Sequence, residues 1–289
     1  MQAQPLLFAG AAGPDTPPEP STPTGNASGT REWSSHSANC CTGCSHGCRY
    51  CYARELSLRW GFIERAEDWT REQVRQEVLA RRVRPAGGVT MFPTTHDITP
   101  ANLGPCLEYL GKLLAAGRRV LIVSKPHVEV IRSIIEQHGR FAGRVLFRFT
   151  IGAVSPAVLR FWEPGAPDLA ERLDCLRLAF SRGWETSVSA EPLLEAERVG
   201  ELVELVSPFV TDSIWIGKAN DLRRRSGWSF GRMHQGDYEP ELRRVEYGQT
   251  DEAVRRIYDQ LRDHPLIRWK ESYKRALGLP LADRPGMDI

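Results

Sequence analysis

Between residues 88 and 216 the chain alternates short apolar runs with segments of helical period. Residues 88–92, 119–123, 145–150, 185–189 and 210–216 have the length and the β-branched or aromatic content of strands. Residues 103–116, 128–138, 169–182 and 199–206 lie between them and repeat at helical spacing. The segment 169–182 is expected to put Leu169, Leu173, Leu176 and Phe180 on one buried face and to end at Gly183. Upstream, Thr70-Arg-Glu-Gln73 has capping-box form and predicts a helix running to about Arg82. A first, poorly marked strand precedes all of these. Six βα units with connections of this length predict an α/β fold with parallel strands and right-handed crossovers, open or closed as a partial (β/α)6 barrel. In such barrels chemistry gathers at the C-terminal ends of the strands.

The flanks are simpler. Residues 1–30 are rich in Pro, Gly, Ser and Thr and carry too little apolar surface to offset ordering entropy, so a disordered tail is expected there. Residues 31–289 are then one barrel with a C-terminal closing segment, in which 267–274 supplies a short strand and helix. Of 289 residues, 41% are hydrophobic and 26% charged, and the net charge is +2, too small to imply a nucleic-acid partner by itself. No apolar run reaches the length of a membrane span, and Leu6–Ala9 is too short for a signal sequence, so a cytoplasmic protein without membrane attachment is expected.

In a reducing compartment, clustered cysteines point to metal or catalysis rather than disulfides. Five of the seven cysteines lie between positions 40 and 51. Cys44, Cys48 and Cys51 form Cys-x3-Cys-x2-Cys just past the first strand, where a barrel places its active site. Structural zinc takes four protein ligands, usually as two separated pairs, and no second pair exists here; Cys40, Cys41 or His46 are candidates for a fourth ligand. A [4Fe–4S] cube held by three thiolates keeps one iron open to a small chelating molecule, and S-adenosylmethionine (SAM) offers an amine and a carboxylate. Cys40 and Cys41 are expected to pack rather than ligate, and Cys106 and Cys175 to act as small apolar residues.

With Tyr50 before the last cysteine, Cys44-x3-Cys48-x-Tyr50-Cys51 on this βα order resembles the radical SAM superfamily. Ser124-Lys125, Phe147–Ile151, Glu163-Pro-Gly-Ala-Pro167 and Arg172 are similar to its spore photoproduct lyase branch. The resemblance implies a [4Fe–4S] cluster on Cys44, Cys48 and Cys51, bound SAM, a reductase partner such as flavodoxin or ferredoxin, and a radical reaction begun by reductive SAM cleavage. It implies that Lys125 meets the SAM carboxylate and that Thr150 is the hydroxyl residue ending its strand. Thr95 and His96 stand where many members have a Gly-Gly-Glu that receives the SAM amine. Tyr50, Tyr52, Ser124 and Arg148 complete the candidate cofactor-binding set. The lyase carries a hydrogen-donating cysteine near the end of its second strand, whereas Phe92-Pro-Thr-Thr-His-Asp97 has none, so a different substrate is expected.

Arg148 and Thr150 share one strand face. Directed inward, Arg148 needs a partner, and Glu191 is the candidate. Lys218 and Asn220 follow the last strand of the series and are expected at the rim. Residues 218–232 mix Arg with Trp and Phe, the composition of a single-strand nucleic-acid surface and equally of a solvated loop. The alternative function class is a non-enzymatic metal- or nucleic-acid-binding module in which the cysteines are structural.

Overall fold

The computed structural model describes residues 28–231 and 233–288. The expected tail falls mostly on residues 1–27, outside the described residues. Its last positions, Gly29 and Thr30, open a short 3-10 helix, Gly29–Glu32, in contact with the body of the fold.

Strand β1 (His36–Ser37) is followed by β2 (Cys41–Thr42), the cysteine loop and α1 (Tyr52–Arg59). Strand β3 (Gln73–Val74) and α2 (Gln76–Leu79) lead to β4 (Val89–Met91). Alternation then sets in with α3 (Leu103–Ala115), β5 (Arg119–Ser124), α4 (Val128–His138) and β6 (Val145–Thr150). It continues through α5 (Pro156–Trp162), α6 (Leu169–Ser181), β7 (Glu185–Ala190), α7 (Val199–Val206) and β8 (Ile214–Ile216). The chain ends with α8 (Leu222–Phe230), α9 (Gln235–Tyr247), α10 (Asp251–Leu261), β9 (Ile267–Trp269) and α11 (Glu271–Leu277).

The strands form one parallel sheet in the order β1-β4-β5-β6-β7-β8-β9, the expected α/β architecture with β9 as a seventh strand. Side chains alternate across it. Ile122, Phe147, Phe149, Val188 and Ile214 pack with the helices in the main core. Each apolar side chain buried there stabilises the fold by about 1.5–3 kcal/mol. Leu121, Leu146 and Trp215 face the concave side, where they meet Trp33 and Met91. The two sheet edges, β1 and β9, are not hydrogen-bonded to each other. Residues 29–33 bridge them: Lys270 Nζ donates to the Gly29 carbonyl (2.9 Å), and the Glu271 amide donates to Glu32 (3.0 Å).

Three expectations fail locally. Thr70–Gln73 opens no long helix. Gln73-Val74 pairs antiparallel with Cys41-Thr42, and Glu72 accepts from Ser45, Thr99 and Asn102 instead of capping a turn. The tertiary use of that carboxylate and the β2 edge override the local signal. Phe180 is 40% exposed on α6, where it meets Phe209 edge-on; Arg172, Cys175 and Ala179 take the buried places. Strand β8 begins only at Ile214, because residues 210–213 turn to return Thr211 and Asp212 amides to the Thr186 carbonyl. No helix among the described residues is long and apolar enough to cross a membrane.

Candidate active site

The cysteine loop is anchored by backbone bonds from three directions. The Cys44 amide donates to Trp69 (2.8 Å), Arg49 to Trp162 (2.8 Å), and Gly165 donates to His46 (2.9 Å). Gly165 allows the last contact: a Cβ there would lie 2.4 Å from the Ser45 carbonyl oxygen. Cys51 is the N-cap of α1, its sulfur accepting from the Arg54 amide at 3.5 Å.

Cys44, Cys48 and Cys51 line one cavity of 470 Å³ at the C-terminal ends of the strands. The same walls carry Tyr50, Tyr52, Thr95, Ser124, Lys125 and Thr150. Lys218 and Asn220 line it too, with Lys218 paired to Asp251 at 3.5 Å. Burial pushes the Cys48 thiol up to about 12 and raises Cys44 as well. Such thiols become thiolates readily only beside a cation, which is the chemistry of a metal centre. Three sulfurs on one short loop, facing a shared cavity, fit a cluster bound by three protein ligands.

A charged network stands behind the loop. Glu163 and Arg172, both fully buried, pair at 2.6 Å. Tyr50 donates its hydroxyl to Glu163, and Lys125 Nζ lies 4.0 Å from the same carboxylate. Burial opposes the Glu163 charge, but Arg172, Lys125 and Tyr50 outweigh it and hold the carboxyl below its ordinary range. Burial likewise opposes the Lys125 charge, and Cys48, Glu163 and Asp97 more than compensate, so its ammonium is kept. Lys125 is thus a fixed cation in the cavity wall, 15% exposed at its side chain.

Asp97 escaped the sequence reading. Its carboxylate accepts from Ser124 (2.5 Å), the Lys125 amide and the Ile98 amide, and pairs with His46 at 3.3 Å. Despite burial, His46, Lys125 and Ser124 hold it at about 2. Its position after a candidate SAM-contacting stretch was the available signal. Glu191 and Arg225 also reach the cavity. Glu191 pairs with Lys270 at 3.4 Å.

Two expected roles change. Arg148 is inside the barrel but below the cavity and is fully buried. It donates to Ser187 (2.9 Å), pairs with Asp212 rather than Glu191, and lies against the rings of Trp33 and Trp215, which meet edge-on. Register explains this: Arg148 sits level with Val123 and Ser187, two residues deeper than Thr150. His96 borders the cavity, but Nε2 accepts from the Cys40 and Cys41 amides and Nδ1 donates to the Asp97 carbonyl. The neighbouring Thr94 and Thr95 amides both donate to Asn39, and Tyr52 donates to the Thr94 carbonyl.

The radical SAM superfamily model matches residues 39–207, more than half of the chain. The chain belongs to the radical SAM superfamily. Spore photoproduct lyase complexed with dinucleoside spore photoproduct has a similar fold, with a TM-score of 0.52 and 16% identity over 82% of this chain and 76% of that one. A mutant of the lyase with bound AdoMet and the dinucleoside matches with a TM-score of 0.51 at the same identity and coverage. These likenesses establish this radical SAM chain's fold. Uncharacterized protein ORF301 of Acidianus two-tailed virus is 25% identical over 177 residues, 57% of this chain. The match spans 58% of the length of that curated relative.

Proposed function

We propose that this protein is a radical SAM enzyme that starts its reaction with a 5′-deoxyadenosyl radical and acts on a nucleic-acid-derived substrate. The observation that carries the reading is the convergence of Cys44, Cys48, Cys51 and the cationic Lys125 on one cavity. Cys44, Cys48 and Cys51 would hold a [4Fe–4S] cluster, which would supply the electron for reductive cleavage of SAM.

The remaining roles belong to the chain. Lys125, charged and braced by Glu163, binds the SAM carboxylate. Tyr50 ties the cysteine loop to Glu163, so loop and lysine share one anchor. Asp97 fixes the turn from Ser124 to Lys125 and orients His46 inside the loop. Ser124, Thr150 and Tyr52 line the wall with hydroxyl side chains, and Thr95 would receive the SAM amine. Met91 and Val123 close the floor and limit water access. Arg148 acts from below by packing its guanidinium against the tryptophans that support this floor.

The substrate class rests on the solved relatives and on the cavity wall. The solved lyase complexes hold a dinucleoside photoproduct, and Lys218 and Arg225, each paired to a carboxylate, line the cavity wall. Among the described residues no thiol beyond the three loop cysteines lines the cavity, so hydrogen return by a protein thiol, as the lyase resemblance implies, is not proposed. The segment 218–232 contributes less than its composition suggested. Arg223 is paired to Glu239 and Glu246, and Arg224 to Glu55 and Asp221. A cytoplasmic location and a flavodoxin- or ferredoxin-type reductase complete the proposal.

Anaerobic reconstitution with iron and sulfide, followed by SAM and dithionite, tests the activity. A brown protein that forms 5′-deoxyadenosine is expected, and Cys48→Ala abolishes both colour and product. Protein that takes up no iron and leaves SAM intact would overturn the reading in favour of a binding module. Deuterated oligonucleotide and peptide pools then test the substrate: label entering 5′-deoxyadenosine from peptide alone removes nucleic acid from the proposal.

A further inference from the structure

A second group of thiols lies outside the cysteine loop. Cys40, beside β2, Cys41 within it, His96 after β4 and Cys106 in the first turns of α3 bring three sulfurs and one imidazole nitrogen together. Their ligand atoms all lie within 4.8 Å of one another, and all four residues are buried. Cys40 Sγ is 3.9 Å from Cys41 Sγ and 3.5 Å from Cys106 Sγ. A tetrahedral ion with bonds of about 2.3 Å to sulfur holds its thiolates about 3.8 Å apart. The spacing is therefore that of one ion shared by all the sulfurs, not of a cube that gives each its own iron.

The imidazole is set for the same role. Backbone amides of Cys40 and Cys41 point at His96 Nε2 from 3.3 Å, so Nε2 carries the lone pair and Nδ1 the proton. Nδ1 donates to the Asp97 carbonyl at 2.9 Å, the support a metal-bound imidazole commonly has. The amide contacts to Nε2 are long, and an ion would take the lone pair in their place. Simple packing accounts for buried thiols but not for an imidazole whose unprotonated nitrogen is directed among them.

We propose that Cys40, Cys41, Cys106 and His96 form a structural site for a single zinc-class ion, separate from the loop cysteines. Binding displaces the thiol protons to solvent and gives a Cys3His set, one of the usual closed zinc arrangements. The ion joins β2, the loop after β4 and the start of α3. That loop also carries Asp97, which holds the Ser124–Lys125 turn, so the site stiffens one wall of the cavity. It takes no part in radical chemistry, and its occupancy does not depend on the proposed reaction.

Elemental analysis of protein produced with zinc in the medium and purified under anaerobic conditions is the test. About one zinc per chain is expected. Cys40→Ser or Cys106→Ser lowers zinc at least fivefold while iron uptake on reconstitution persists. Replacing Cys44, Cys48 and Cys51 together by alanine removes iron and leaves zinc. Should the Cys40 or Cys106 variant fail to fold, cobalt loading of the triple-alanine protein gives an independent readout, the intense bands of tetrahedral thiolate cobalt. Zinc absent from the parent protein, zinc lost with the loop cysteines but not with Cys40 or Cys106, or a Cys40–Cys106 disulfide in the anaerobic protein would each overturn the site.

Discussion

Lys125 is the residue on which the cofactor reading turns, because it is a cation whose charge survives burial. Its neighbours Glu163 and Asp97 maintain that charge, joined by Cys48 when it is a thiolate. Lys125→Met removes one charge-assisted contact worth about 1.5–3 kcal/mol, so SAM is expected to bind roughly tenfold to a hundredfold more weakly, with iron content unchanged. Equilibrium binding to the reconstituted protein checks this. Glu163 carries a different burden. Glu163→Ala leaves the Arg172 guanidinium buried without its carboxylate, and a loss of about 3–5 kcal/mol is expected in denaturant unfolding. The loop cysteines were legible in the sequence because their signal is local, a fixed spacing; Lys125 and Thr150 came only through the family resemblance, and the structure places both on the wall of the same cavity. Asp97 was not legible, since its importance comes from His46, Ser124 and Lys125, contributed by two other segments. Arg148 shows the converse. Alternation assigned its face correctly, but its depth in the barrel depends on strand register, which one strand's pattern cannot supply.

At the scale of elements, the βα series from β4 to β8 was readable because each segment pairs a strong period with a clear stop. The stretch before β4 was not. Its strands are two residues long, and Glu72 serves three partners from elsewhere in the chain. The cysteine loop is held by such short elements and by the turn after α5. Gly165→Ala introduces a methyl group where the Ser45 carbonyl stands 2.4 Å away, against a backbone that cannot rotate aside. The expected outcome is at least a twofold fall in iron bound on reconstitution, with far-ultraviolet circular dichroism unchanged. Colorimetric iron determination beside the spectrum checks it.

Across the whole molecule, the open edges of the sheet are joined by charge rather than by a ladder. Lys270, 1% exposed, pairs with Glu32 at 3.1 Å and Glu191 at 3.4 Å, and lies over the Trp33 ring. Burial pushes Glu32 up to about 7 from an ordinary 4.5, against the pull of Lys270. The folded protein therefore holds this proton more tightly than the unfolded chain. Its contribution, on the order of 3 kcal/mol, is complete below pH 4.5 and lost as pH rises through about 7. Measured against the parent protein, Glu32→Gln is expected to gain relative stability between pH 4.5 and 7, and thermal unfolding across that interval checks it. The same closure sets the cavity's outer wall through Glu191. The cluster proposed on Cys44, Cys48 and Cys51 would have one iron without a protein sulfur. Electron paramagnetic resonance of the dithionite-reduced, reconstituted protein, recorded before and after SAM is added, tests it most directly. The expected result is a [4Fe–4S]⁺ signal whose g values shift on adding SAM. A signal unmoved by saturating SAM, or no cluster signal at all, would contradict it.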